Sequence, residues 1–113
     1  MNRAHRRMGL VLAISTFALL SIGCSPSPSE RRGQELFDLH CALCHEVPNP
    51  DLKKQPPKLE DLFAGKPLPS GAPATDLQVR KTIIQGIGTM PAFDQRLSAQ
   101  DLDDLVAYLH TLK

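Results

Sequence analysis

Apolar residues at helical spacing mark the first predicted element of the chain. Gly33, Phe37 and Cys41 recur every four residues with Leu36 beside them, which predicts a helix over residues 30–40 that carries Cys41 at its C-terminal end. A glycine inside a helix costs stability relative to alanine. We therefore expect another helix to approach closely at Gly33.

Two more helices are predicted towards the C-terminus. The run Thr75–Gln78 is a capping box, and the helix that it opens runs to about Gln85 and ends at Gly86. The apolar residues of this helix that we expect to point inwards are Val79, Ile83 and Ile84.

The last predicted helix follows a second start signal, the run Ser98–Asp101. Its apolar face carries Leu102, Leu105, Val106, Leu109 and Leu112, with Tyr108 at the edge. No run alternates between polar and apolar residues convincingly enough to be a strand. The sequence therefore predicts an all-α fold of about three to four helices.

A proline-rich stretch separates the first predicted helix from the second. Seven of the ten prolines lie between Glu46 and Ala74, which predicts a loop with one short helical turn over Leu59–Gly65. A loop this long in a compact domain is usually functional or wrapped around something.

The N-terminal 23 residues have the pattern of a secretory signal peptide. A basic start is followed by 13 mostly apolar residues, Leu10–Ile22, which is short for a membrane span. The alternative is a permanent membrane anchor helix. We expect residues 1–23 to be removed on export, which places the protein on the periplasmic side of a membrane.

Cys24 ends a sequence that resembles a bacterial lipobox, Leu20-Ser21-Ile22-Gly23-Cys24. Lipidation of Cys24 would tether the protein to a membrane, although Ser21 departs from the usual leucine and cleavage by an ordinary signal peptidase is the alternative. Residues 24–29, with the Pro/Ser run Ser25–Ser29, are predicted to be an extended tether of roughly 15 Å. The folded domain is predicted over residues 30–113.

Size and charge narrow the classes of function. Removal of residues 1–23 leaves 90 residues with 10 Lys and Arg against 12 Asp and Glu, a formal charge of −2. With no basic patch, nucleic-acid binding is not expected. A Trp-free domain of this size needs help to complete its core.

The run Cys41-Ala42-Leu43-Cys44-His45 is the c-type haem attachment signal. Each thiol adds across one haem vinyl group, and the adjacent imidazole supplies an axial nitrogen to the iron. A thioredoxin-like motif needs a βαβ setting that this chain lacks, and a zinc site usually needs two separated ligand pairs. We therefore predict one covalently bound haem c, which would also supply the missing core.

A second axial ligand has three candidates after signal removal: Met90, His40 and His110. His40 directly precedes Cys41, too close to reach the opposite haem face. His110 is expected to be a solvated histidine on the flank of the last helix. Met90 lies in a flexible segment between helices, where ligation is favoured over the filling of a core gap.

These pieces together resemble a class I monohaem bacterial cytochrome c of the small lipoprotein type. The matching pieces, in order, are Gly33…Phe37…Cys41-x-x-Cys44-His45, Gly86-x-Gly88-x-Met90-Pro91-Ala92-Phe93, and Leu97-Ser98 followed by Leu105…Tyr108-Leu109. The resemblance covers about residues 33–113. It implies the small all-α cytochrome c fold, with the helices wrapped around the haem.

The resemblance also implies roles for particular residues. Gly33 and Phe37 would cross the last helix near Leu105 and Tyr108. Pro57 resembles the family's proline whose carbonyl accepts the Nδ1 proton of the haem histidine. The family's usual glycine before that proline is replaced here by Pro56, which stays open as the other choice.

The expected function is electron transfer between respiratory redox partners, without catalysis and without a small-molecule substrate. His45 and Met90 would both be bound to iron, and an apolar ring of Ala42, Leu43, Ala92 and Phe93 would contact the partner. One alternative is a haem subunit of a larger dehydrogenase or oxidase. Another is a gas-binding haem sensor, or an enzyme, with a labile Met90.

Overall fold

The computed structural model describes residues 23–113, so all but the last residue of the predicted signal peptide 1–23 lies outside the described residues. The prediction of an all-α fold is confirmed. In the described part, extended pairing is limited to two isolated bridges, Pro67 with Pro73 and Ile87 with Met90. Residues 23–113 form four helices: α1 Pro28–His40, α2 Ala42–His45, α3 Asp76–Gln85 and α4 Ala99–Leu109.

Helix α1 begins at Pro28, earlier than the sequence predicted. The Ser27 side chain accepts a hydrogen bond from the Glu30 N–H at 3.1 Å, and the Glu30 carboxylate accepts one from the Ser27 N–H. Proline is well suited to the first helical position because it has no N–H to leave unpaired. The expectation that the extended tether reaches Ser29 was therefore wrong, since Ser29 is already helical.

The close approach predicted at Gly33 is confirmed. A Cβ on Gly33 would lie 2.0 Å from the carbonyl oxygen of Asp104 and 2.7 Å from the Cβ of Tyr108, so only glycine fits. One turn further along α1, the ring of Phe37 packs against that of Tyr108 at a centroid distance of 5.3 Å. Helices α1 and α4 therefore cross in direct backbone contact.

An ion pair lies beside this crossing. Asp104 is 1% exposed, and Arg32 donates to it from Nε at 2.8 Å and from Nη2 at 3.2 Å. The Ser29 hydroxyl and the Gln100 amide also donate to this carboxylate. The hydrogen bond from Arg32, followed by that from Ser29, lowers the pKa of Asp104 to about 2.

Helix α3 contributes Val79 and Ile83 to the core, as predicted, but Ile84 is 36% exposed. The expectation for Ile84 was wrong because it lies about 100° around the helix from Ile83. The helix ends at Gly86, which has φ +69°. A Cβ there would meet the carbonyl oxygen of Met90 at 2.5 Å, so the chain turns back tightly after α3.

The loop predicted between Glu46 and Ala74 is present. The helical turn expected over residues 59–65 is a pair of hydrogen-bonded turns, from Leu62 N–H to the Leu59 carbonyl and from Ala64 N–H to the Asp61 carbonyl. The Asp61 N–H donates to the Leu112 carbonyl at 3.2 Å. Leu112 was expected in the last helix, but it lies beyond the end of α4 and packs partly buried against the core.

The core draws on all three longer helices and on two loops. The loop after α2 supplies Leu68, and the loop after α3 supplies Phe93 and Leu97. The remaining buried apolar residues are Phe37, Val79, Ile83, Leu102, Leu105, Val106 and Leu109.

Candidate haem-binding site

The end of α1 places the first predicted anchor against the core. The Cys41 N–H donates to the Phe37 carbonyl at 2.8 Å, so helical geometry continues to this residue. Its side chain is half-buried and packs against the core cluster. Cys44 follows in α2 and is exposed, and the His45 N–H donates to the Cys41 carbonyl at 2.9 Å. The attachment motif is therefore one short helical segment that begins at the core.

The imidazole of His45 is oriented by a backbone carbonyl. Its Nδ1 lies 2.7 Å from the carbonyl oxygen of Pro57. A carbonyl can only accept a hydrogen bond, so this contact needs the proton on Nδ1 and leaves the Nε2 lone pair free for a metal. The contact is made by Pro57, the first choice from the sequence, and not by Pro56.

The two motif thiols differ in environment. Burial, with a smaller contribution from the nearby Cys44, raises the pKa of the Cys41 thiol to about 11. Among residues 23–113, no group of three His, Cys, Asp or Glu side chains is placed to hold a metal ion.

Met90 ends a tight turn that follows α3. Its N–H donates to the Ile87 carbonyl at 2.9 Å, and the Ile87 N–H donates back to the Met90 carbonyl at 3.2 Å. The intervening Gly88 has φ +58°, a conformation that favours glycine. The Met90 side chain is partly buried and packs against the core cluster. The sequence predicted a flexible segment at Met90. The structure instead shows Met90 at the end of a hydrogen-bonded turn.

The two other histidines considered for the iron have protein partners. The His40 ring contacts Phe93 edge-on at a centroid distance of 6.0 Å. The His110 ring stacks on Phe63 at 3.8 Å, and its Nε2 lies 2.8 Å from the Asp76 carboxylate. His110 is exposed, as expected, but it joins the loop to the start of α3 and the end of α4. Sequence analysis missed this contact, which spans 34 residues and has no local signal.

The apolar ring expected at the partner contact is only partly correct. Leu43 is 77% exposed, but Phe93 is 6% exposed and belongs to the core, so its assignment to that surface was wrong. Phe93 is drawn inwards because its N–H donates to the Ile83 carbonyl and its ring packs among core residues. The exposed apolar residues near Leu43 are instead Leu39 and Val47.

The residues present fit a covalently attached haem. Two thiols lie one helical turn apart, and the imidazole beside them has Nε2 available. The only thioether within residues 23–113, that of Met90, packs against the same apolar core as Cys41. A haem c needs this set of groups: two thiols, a nitrogen ligand and an apolar setting.

Cys24 is exposed at the start of the described chain. A short cleft there is lined by residues of the N-terminal segment and by Tyr108 and Thr111, and the Pro26 carbonyl accepts a hydrogen bond from Arg31. The segment after Cys24 therefore lies against α1 and the end of α4. No helix in residues 23–113 is long and apolar enough to cross a membrane.

The known proteins that are similar to this chain are cytochrome c proteins. The model of the family described as cytochrome c oxidase, cbb3-type, subunit III matches residues 28–109. The cytochrome bc1 complex cytochrome c subunit of Corynebacterium diphtheriae is 32% identical over 83 residues, which cover 73% of this chain and 27% of that protein.

Two further relatives are also named as cytochrome subunits of respiratory complexes. The cytochrome bc1 complex cytochrome c subunit of Mycobacterium leprae is 33% identical over 72% of this chain and 26% of its own length. The cbb3-type cytochrome c oxidase subunit FixP of Azorhizobium caulinodans is 36% identical over 80% of this chain and 30% of its own. The chain spans about a quarter of the length of the curated relatives it matches first. The cofactor of this family is covalently attached haem c, and the chain belongs to the cytochrome c family.

Proposed function

We propose that this chain is an exported, monohaem class I cytochrome c that carries single electrons between respiratory redox partners. The observation that carries the proposal is the 2.7 Å contact between His45 Nδ1 and the Pro57 carbonyl. A histidine held in this tautomer beside two thiols is arranged to bind iron through Nε2. Membership of the cytochrome c family supports the same function.

Each residue of the site has a separate role in this proposal. Cys41 and Cys44 would hold the haem through thioether bonds, and His45 and Met90 would be the ligands of its iron. The bound haem supplies reversible one-electron chemistry. The Pro57 carbonyl fixes the His45 ring and strengthens its donation to the metal. A methionine ligand raises the reduction potential.

Occupation of both axial positions separates a carrier from an enzyme or a gas sensor. With His45 and Met90 bound, a small molecule has no open position on the iron. The closed turn around Met90, with its two backbone hydrogen bonds, favours a stable ligand over a labile one. We therefore propose electron transfer without catalysis.

A second candidate is a haem subunit fixed within a larger respiratory complex. It is favoured by the relatives, which are named as subunits of the cytochrome bc1 complex and of cbb3-type oxidase. The two candidates differ in the strength of association with a partner. A partner that co-purifies at high salt would support the subunit, and a protein recovered alone would support the mobile carrier.

We also propose that residues 1–23 are removed and that Cys24 carries the lipid anchor on the periplasmic side. The exposed position of Cys24 ahead of the folded domain is compatible with modification. Mass spectrometry of the N-terminal peptide tests this directly. A diacylated Cys24 would support it, and an unmodified Cys24 would contradict it.

Optical spectra of the oxidised and reduced protein test the ligand set. Met90→Ala should remove the weak long-wavelength band that methionine ligation gives oxidised haem, and the reduced variant should bind carbon monoxide rapidly. His40→Ala and His110→Ala, the matched controls at the competing ligands, should keep the band. An unchanged band in Met90→Ala would remove Met90 from the iron, and rapid carbon monoxide binding by the unaltered protein would favour the sensor.

A further inference from the structure

Three exposed apolar side chains lie at four-residue intervals along the segment that carries the haem anchors. Leu39 is 75% exposed, Leu43 is 77% exposed and Val47 is 53% exposed. We call these three residues the apolar stripe. Single exposed apolar residues are ordinary on protein surfaces, but three at regular intervals beside a functional site indicate a contact surface.

Leu39 and Leu43 of the stripe point away from the core. Residues two positions apart on a helix point about 200° from each other. Phe37 is 1% exposed in the core, so Leu39 points away from the core. Cys41 packs against the core, so Leu43 likewise points away from the side on which Cys41 anchors the haem. Leu39 and Leu43 therefore lie on the side of the segment opposite to Phe37 and Cys41.

The charged side chains on the segment that carries the stripe are acidic. Between Gly33 and Leu52 there is no Lys or Arg, and the exposed acidic residues Glu35, Asp38 and Glu46 flank the three apolar positions. The basic residues that come next lie in the following loop and are Lys53, Lys54 and Lys58. An apolar centre with an acidic border is complementary to an apolar patch bordered by basic side chains.

We propose that the apolar stripe and its acidic border are the surface through which this domain docks on a partner protein that presents an apolar patch bordered by Lys and Arg. The proposal rests on the proposed electron-transfer function. The surface lies on the same short segment as Cys41 and Cys44, so docking here would bring the partner close to the haem attachment. The acidic border also disfavours an anionic lipid surface as the occupant.

The experiment uses the haem-loaded protein on gold electrodes coated with two mixed monolayers. One monolayer mixes methyl-terminated and ammonium-terminated chains, and the other mixes methyl-terminated and carboxylate-terminated chains. Cyclic voltammetry gives the rate of electron transfer, and surface plasmon resonance gives adsorption. The protein should exchange electrons at least about fivefold faster on the ammonium surface at low salt, and the difference should shrink at high salt.

Matched variants assign the effect to the stripe. Leu43→Gln should slow electron transfer on the ammonium surface by at least about threefold, whereas Leu77→Gln should not, although Leu77 on α3 is 72% exposed. Glu46→Gln should reduce the salt dependence, and Glu60→Gln, at another exposed glutamate, should leave it unchanged. The absorption spectrum and midpoint potential of all four variants should match those of the unaltered protein.

The outcomes separate docking from the function on which it rests. Equal rates on the two monolayers, or an equal loss in Leu43→Gln and Leu77→Gln, would overturn the docking surface while reduction by hexaammineruthenium still proceeds. Failure to exchange electrons with that small reagent would overturn the carrier function and the docking surface with it. Leu43-dependent binding to phosphatidylcholine vesicles, or Leu43-dependent dimerisation in sedimentation, would assign the stripe to a lipid surface or a second copy and overturn the proposal.

Discussion

The crossing of α1 and α4 is held by direct contact between two helices, whereas the segments that carry Pro57 and Met90 consist of turns and loops. At the crossing, Gly33 lies against the α4 backbone, and Arg32 is paired with the buried Asp104. Residues 46–74 contain only turns and one isolated bridge. Helix packing therefore fixes the half of the domain that contains the α1–α4 crossing, and we infer that the bound haem completes the half that carries Pro57 and Met90.

The largest expected effect comes from removal of the haem anchors. The double variant Cys41→Ala/Cys44→Ala should lose covalent haem and with it cooperative folding, because a Trp-free domain of about 90 residues lacks enough core of its own. Haem staining after denaturing electrophoresis and thermal unfolding followed by circular dichroism measure the two effects. A sharp thermal transition in the haem-free variant would show that the chain alone is sufficient.

Gly33→Ala tests the half that the chain completes. Helix propensity alone would favour alanine by about 1 kcal/mol, but the new Cβ would lie 2.0 Å from the Asp104 carbonyl oxygen and force the helices apart. We expect the overlap to dominate and to lower the free energy of unfolding of the haem-loaded protein by about 3 kcal/mol.

Gly71→Ala is the control for that substitution. Gly71 has φ +83°, but a Cβ there would have no atom within 4 Å, so only the backbone conformation opposes it. The expected loss is about 1 kcal/mol in the same denaturant titration. A loss in Gly33→Ala no greater than that in Gly71→Ala would contradict close contact at the crossing.

Asp104 should make the stability of the crossing depend on acid. Its folded pKa of about 2 lies below the usual 3.8, so its stabilisation is present above about pH 4 and is lost as the pH falls towards 2. Asp104→Asn should lower stability at neutral pH and flatten this part of the pH profile. Asp103→Asn, at the exposed neighbour paired with Arg80, should leave the profile unchanged. Parallel profiles for Asp104→Asn and the unaltered protein would contradict the assignment.

The smallest expected effect lies at the contact between the loop and the ends of two helices. His110→Gln removes the stack on Phe63 and the contact with Asp76, both of which are largely exposed. The loss should be about 1 kcal/mol or less by thermal unfolding. A loss as large as that of Gly33→Ala would mean that this contact stabilises the domain as much as the crossing does. That result would contradict the expected order of the two effects.

The sequence predicted structural features correctly where each feature depends on neighbouring residues or on a single steric requirement. The cap at Thr75, the cap at Ser98 and the costly Gly33 each involve neighbouring residues or a single steric requirement, and each was predicted. The start of α1 was missed because the Pro/Ser run was taken as a tether, although Ser27 caps the helix.

The contacts that the sequence did not predict join residues that are far apart along the chain. Arg32 and Asp104 are 72 residues apart and His110 and Asp76 are 34 apart, so no local pattern pairs them. The contact of the Pro57 carbonyl with His45, by contrast, was expected from the family resemblance, and the structure places the two atoms 2.7 Å apart.

Hydrogen exchange with and without haem tests the central claim, that the cofactor completes the half of the domain carrying Pro57 and Met90. The account predicts that haem removal abolishes protection of the amides in residues 46–74 and 86–93, with any remaining protection confined to α1 and α4. Equal protection of residues 46–74 in the haem-free and haem-loaded proteins would contradict it.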